Sequence, residues 1–492
     1  MTRAVAIGEK RLTLAILATW ALLCALQYGG IPFGRYAWAV NLWAYQPVAV
    51  GLILATLALA ISAGAVRRSL LAGLDRISLR VGENALMPPL VGAGVALVFW
   101  GLTGDDLSPD GRVFGGAMLK GYDFIFPDAG ATWIIFRLSR LALLLDLPFY
   151  SLVRLGSCLA GGTTVSLLVS MSRRGMLGPV RPFGLSTGLL LSAGLVRAFI
   201  GRVETYPFLL VAVAAYVWLA LRFLRNGRGW YLTCFMAGIA VWLHAAAVGL
   251  ALSLAILPRL ASSDLAFGRW CGLLFRGALV AALPFMAFIA GAIAFGDDFS
   301  LNESIASAVE ILGGNDAETA RRWWVRGWGG EPSIGTDVVF ASRAQLKYLA
   351  NAAFILCPSA IPVLVFLFAI GRRKLGRDTT ALFLAALCLP LIVYAFALRP
   401  FWGPYDWDLF SITGFALILF QAYALEILIE PSRLRHIAVW LVSFQMFFVA
   451  APFVALRDIP ERDAGPFFQD GYMSLGIGRA STPPLPALAP WL

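Results

Sequence analysis

Apolar stretches of roughly 17 to 25 residues, the length a helix needs to cross a hydrocarbon core of about 30 Å, alternate along this chain with short polar connections. They lie near 12–32, 46–66, 85–103, 149–171, 184–200, 206–224, 229–257, 273–295, 346–370, 380–398, 409–429 and 437–456. The stretch at 229–257 is too long for one crossing and carries His244 at its middle, so it is read as two short crossings with His244 at the turn. Segment 131–147 sets Arg137, Arg140 and Asp146 on an otherwise apolar helix and is amphipathic enough to lie in the membrane interface instead of spanning it. The pattern predicts an all-α polytopic membrane protein with about 13 transmembrane helices. Its membrane domain occupies 1–456, with a C-terminal tail at 457–492.

Composition agrees: 60% of the 492 residues are hydrophobic and 14% charged. The net charge of +11 sits in short loops between apolar stretches, so topology accounts for it and a nucleic-acid partner is not implied. Basic clusters occur at the N-terminus, at Arg67/Arg68/Arg76/Arg80, Arg173/Arg174/Arg181, Arg222/Arg225/Arg228, Arg259/Arg269, Arg372/Arg373/Lys374/Arg377 and Arg433/Arg435. They share one side only when the chain turns at His244, and the positive-inside rule makes that side cytoplasmic, with the N-terminus inside and the C-terminal tail outside. The six cysteines are scattered without metal-ligand spacing, and two histidines exclude a His-rich metal site. The basic N-terminus before an apolar run, lacking a small-residue cleavage site, reads as a first anchor.

Every acidic or otherwise unusual loop then falls on the outer face: 104–148, the loop around Glu204, His244, 297–344, and 399–408. Asp105, Asp106 and Asp110 place three carboxylates within six residues beside the bilayer. They are turn formers in a Ser-Pro-Asp-Gly sequence or, functionally, bases positioned to take a proton from an acceptor hydroxyl; Asp110, expected in a Pro-Asp-Gly turn, is the first choice and Asp106 the second. An Asp pair is also compatible with a divalent cation, Mg2+ or Mn2+, although no metal-ligand set is identified. Glu204 follows Arg202 at the edge of a span, where it is either that arginine's ion partner or an acceptor for sugar hydroxyls. His244 is either a satisfied core histidine or a group binding phosphate or sugar. Arg321, Arg322, Arg343 and Lys347 are candidates to hold a lipid phosphate or diphosphate, against the plainer reading of interfacial residues meeting bulk lipid. Asp406 and Asp408 flank Trp407 at the start of a span, and two acids there exceed what helix capping needs.

With these residues placed, the chain resembles the GT-C superfamily of integral membrane glycosyltransferases, and within it a group of bacterial and archaeal polytopic proteins. The stretches that carry the resemblance are Asp110-Gly111, Val203-Glu-Thr-Tyr206, His244, the segment Phe340–Asn351 with Cys357-Pro358 following, and Asp406-Trp-Asp-Leu-Phe410, in that order. The resemblance implies an acidic general base in the first large outer loop beside an interface helix, a polyprenyl-phosphate sugar donor, and inversion at the anomeric carbon. It implies a multi-pass protein of the bacterial inner (plasma) membrane, acting on its extracytoplasmic face on a lipid, glycan or protein acceptor. The acidic loop comes later in the chain than in the superfamily, where it usually follows the first span, and Gln345 stands where relatives have a histidine. The rival class is a transporter or flippase of a lipid-linked saccharide, which should gather ionisable residues and helix breaks near the midplane.

Overall fold

In the computed structural model the described residues are 84–104, 109–119, 121–125, 128–178, 184–295, 343–398 and 408–455, with isolated positions at 53, 56 and 57. Numbered over these, α1 is Met87–Gly101, α2 Pro109–Leu119, α3 Ala129–Leu144, α4 Ser151–Arg173, and α5 Leu185–Ser192 continues as a 3-10 turn at Gly194–Phe199. Then follow α6 Tyr206–Asn226, α7 Trp230–Leu243, a 3-10 turn Ala245–Leu250, α8 Ala251–Ala261, and α9 Phe267–Phe295. The last group is α10 Arg343–Leu356, α11 Ala360–Leu375, α12 Thr379–Ala397, α13 Ser411–Leu428 and α14 Pro431–Gln445, which passes through a π-turn Met446–Ala450 into α15 Ala451–Ala455.

Six described helices are long and apolar enough to cross a membrane, or seven if the bent pair α10–α11 is one span, so the chain is a multi-pass helical protein. The expected 13 crossings are not established. Those near 12–32 and 46–66 lie outside the described residues except for positions 53, 56 and 57, and 85–103 and the two halves of 229–257 form shorter apolar helices. The crossing expected at 346–370 is not one helix: α10 and α11 meet at 88°. Pro358 lies at this corner, with no N–H to offer the preceding turn. The stretch 184–200 is likewise interrupted, with Ala193 extended between α5 and its 3-10 turn.

The reversal at His244 is visible in the packing. The Trp230 indole donates to the Leu273 carbonyl at 3.2 Å and Trp242 meets Phe288 at 5.7 Å, so α7 and α9 run in parallel. The Trp270 indole, at the start of α9, donates to the Ala255 carbonyl at 2.9 Å. The chain after His244 has therefore returned to the level from which α7 set out.

These contacts define two ends of the bundle. Arg173 reaches the Asn84 carbonyl at 2.7 Å, Arg225 the Arg174 carbonyl at 2.5 Å, and Lys374 the Ile427 carbonyl, while Arg259 lies over the Trp270 ring. The basic clusters thus share one end, among the described residues. At the other end α3 lies across the tips of α7, α6 and α4: Gly130 abuts Trp242, and Gly156 faces Leu138 and Phe208. A Cβ at Gly130 would stand 2.6 Å from the Trp242 ring, so only glycine permits this crossing. α3 buries Ala131, Ile135, Phe136, Ser139 and Ala142 and leaves Leu141 and Leu144 exposed. A small core of Phe114, Phe136, Tyr150 and Val203 ties α2 and α3 to this end.

Candidate functional site

Four chain junctions converge at the α3 end. The loop before α6 supplies Arg202, Glu204 and Thr205, the turn between α7 and α8 supplies His244, the start of α13 brings Asp408, and the residue before α3 is Asp128. Arg202 joins two of them, its Nε 3.4 Å from Glu204 Oε1 and its Nη2 3.2 Å from Asp408 Oδ2. The Arg202 side chain is 11% exposed, Glu204 2% and Asp408 6%, so both carboxylates meet the guanidinium in a low-dielectric interior.

Asp128 occupies the position before a helix where an aspartate usually accepts from the first backbone N–H groups, yet its side chain makes no such cap. Thr132 does the local work instead: its hydroxyl accepts from Ile125 N–H at 2.9 Å and lies 2.8 Å from the Asp128 carbonyl. The Asp128 carboxylate is turned toward His244, with Oδ1 3.1 Å from Nε2, at contact distance but off the line of a full hydrogen bond. The other ring nitrogen, Nδ1, accepts the Ala246 N–H at 3.0 Å. That bond requires a lone pair on Nδ1, so neutral His244 carries its proton on Nε2. Burial pushes Asp128 up to about 7, against a lowering by the Thr205 hydroxyl. Burial lowers His244 to about 4, against the raising influence of Asp408. Near neutral pH the histidine is therefore uncharged and the aspartate shares its population between acid and carboxylate. The Tyr206 ring lies 5.2 Å from that of His244, and Tyr394 of α12 is within electrostatic reach of Asp128.

Of the residues singled out in the sequence, Glu204, His244 and Asp408 are brought together here. Asp105, Asp106, Arg321, Arg322 and Asp406 lie outside the described residues, as does the loop 297–342. Asp110 is described in its backbone alone, and there the expected Pro-Asp-Gly turn is corrected: Pro109 opens helix α2 and Asp110 follows in its first turn. Proline at a first helical position loses no hydrogen bond, and the helix dipole favours an acid beside it. The neighbouring Gly111 carbonyl accepts the Tyr150 hydroxyl at 2.5 Å, which ties this turn to the α3 end. Arg343 and Lys347 lie in the first turns of α10, whose Tyr348 packs on Phe410 at 5.8 Å, two residues after Asp408. Gln345 is buried and donates to the Phe396 carbonyl at 2.6 Å.

Asp128 was not singled out, because aspartate after proline and before an amphipathic run reads as a cap. Arg202 read as one ion partner of Glu204, and its reach to Asp408 crosses some 200 residues of sequence. Asp123, which holds Arg140 at 2.5 Å and Arg137 at 3.4 Å, was also invisible. No group of three or more metal-ligating side chains occurs among the described residues.

Fold and site together define a polytopic, all-helical membrane protein with a buried acid-rich cluster under an amphipathic helix at one end. No family model matches the chain, and no curated protein matches it. Among solved structures it is similar to the crystal structure of ArnT from Cupriavidus metallidurans bound to undecaprenyl phosphate, with a TM-score of 0.40, 14% identity, and coverage of 80% of this chain and 78% of that one. At that identity and TM-score it assigns no activity to this chain.

Proposed function

We propose that this protein is a membrane glycosyltransferase that moves one sugar from a polyprenyl-phosphate donor to a lipid, glycan or protein acceptor on the extracytoplasmic face of the inner membrane, with inversion. The observation that supports this reading is the meeting of Glu204, His244 and Asp408, from three separate segments, at the bundle end that α3 covers. Carboxylates fixed by one arginine are acceptors for sugar hydroxyls, and their negative charge directs the donor's phosphate elsewhere, to Arg321, Arg322, Arg343 and Lys347. A carboxylate of this end takes the acceptor's proton; the acidic loop offers Asp110 first, then Asp106 and Asp105. The leaving group is a phosphate, so cations that stabilise its developing charge lower the barrier directly. The acidic loop suits a divalent ion, and Mg2+ or Mn2+ belongs in the assay.

One feature favours the transporter reading. Ser192 donates to Gln445 Oε1 at 3.0 Å, and the Gln445 and Gln421 amides both donate to Ser359, a buried network beside the break at Ala193, the 88° corner and the π-turn. Interrupted helices around interior polar groups are a transporter trait, but this network is uncharged. The test is incubation of purified protein with radiolabelled polyprenyl-phosphate sugars, following release of polyprenyl phosphate in wild type, Glu204→Gln, Asp110→Asn and Asp106→Asn. Release that falls in Glu204→Gln and in one loop variant is expected. Tight donor binding without release from any sugar would replace the transferase by the transporter.

A further inference from the structure

His244 presents an unusual arrangement for a histidine at a polar site, because both ring nitrogens already face protein groups. Nδ1 is committed to the Ala246 N–H, which the 3-10 turn after His244 directs back at the ring. Nε2, left with the only proton, faces Asp128. The histidine is 4% exposed, whereas a fifth of the Asp128 side chain is exposed. Of the pair, the aspartate is the one an incoming group can touch. Its carboxylate makes no helix cap at the position that offers one.

We propose that His244 is a positioning residue that acts through Asp128, placing Nε2, which carries its single N–H, 3.1 Å from that carboxylate and holding it as the proton acceptor for the acceptor hydroxyl. This rests on the transferase reading and deepens it. In the step, the acceptor O–H bond breaks and its proton passes to Asp128. The acceptor oxygen bonds to the anomeric carbon, and the carbon–oxygen bond to phosphate breaks with its electron pair leaving on polyprenyl phosphate. With Asp128 taking the proton in place of the loop candidates, Asp105, Asp106 and Asp110 bind hydroxyls or a cation. Groups facing the pair from other elements are Thr205 and Tyr206 of the α6 entry, Tyr394 of α12, and Asp408 of α13 with its partners Arg202 and Glu204. A base whose pKa lies near neutrality combines a usable carboxylate population with proton affinity. Because the N–H favours the carboxylate over the acid, removing it raises the pH at which Asp128 ionises.

The test compares wild type with Asp128→Asn, His244→Leu and His244→Gln, the last keeping an N–H near the place of Nε2. Transfer from radiolabelled polyprenyl-phosphate hexoses and pentoses, with water and a membrane lipid extract as acceptors, is followed from roughly pH 5 to 9. Carboxyl infrared absorption of the same proteins is titrated in parallel, the Asp128 band being the difference between each protein and its Asp128→Asn form. The expected result is an acidic limb that moves up by about half a pH unit or more in His244→Leu, stays in His244→Gln, and disappears with about 100-fold of the rate in Asp128→Asn. Donor KM stays within about threefold in His244→Leu. An unmoved limb and infrared band in His244→Leu, or a raised donor KM with kcat intact, would overturn the proposal and make His244 a packing or substrate-binding residue. Wild type that releases nothing from any donor sinks the transferase reading and the proton step with it. The infrared titration then still decides whether His244 sets the charge on Asp128.

Discussion

Arg202 stands between two buried carboxylates, 3.4 Å from Glu204 and 3.2 Å from Asp408. Replacing it with methionine keeps the bulk and removes the guanidinium that both Glu204 and Asp408 contact. The expected loss is about 3 kcal/mol, the scale for removing one member of a buried ion pair. It is read as a lower melting temperature in detergent, and adding Glu204→Gln and Asp408→Asn should return part of it. A melting temperature unchanged in Arg202→Met would mean that the pocket is wetter than its exposures indicate. At this scale the sequence was informative where residue type and place coincide. Glu204, His244 and Asp408 stood out as polar groups at the edges of apolar stretches. Asp128 and Arg202 did not, since each has an ordinary local explanation and their partners come from distant segments.

Elements carry the geometry that single residues cannot. The apolar periodicity makes α4, α6, α9, α12, α13 and α14 legible as spans, because transfer of a side chain into lipid depends little on its neighbours. The reversal at His244 follows from the same reasoning. The 88° corner and the break at Ala193 do not, as continuous hydrophobicity hides both. Proline and glycine hint at such breaks without deciding them; packing decides. α1 and α4 approach so closely that a Cβ at Gly92 would lie 2.5 Å from the Gly162 carbonyl oxygen, whereas a Cβ at Gly94 would meet nothing within 4 Å. Membrane helices without a hydrophobic drive toward each other depend on such small-residue contacts. Gly162→Ile is therefore expected to reduce the monodisperse fraction on size exclusion several-fold, with Gly94→Ala as an unaffected control. Equal behaviour of the two variants would show that this contact is dispensable.

For the whole molecule, the separation of basic and acidic ends carries the topological prediction. With the native cysteines replaced by serine, a cysteine at Leu147, exposed beside α3, is expected to react with a membrane-impermeant maleimide on intact cells. A cysteine at Ser263, in the exposed loop after α8, should react only after permeabilisation. The reverse pattern would place the acid cluster in the cytoplasm and remove the extracytoplasmic acceptor. By itself the sequence determined that the chain is a multi-pass helical protein and that its basic loops gather at one end, because hydrophobic length and loop charge act locally and add along the chain. Only the tertiary structure decided that Asp128, Arg202, Glu204, His244 and Asp408 come together in one cluster, which nitrogen of His244 holds the proton, and where helices break. Those properties arise from contacts between segments far apart in the chain, and burial among those contacts, not residue type, sets their charge.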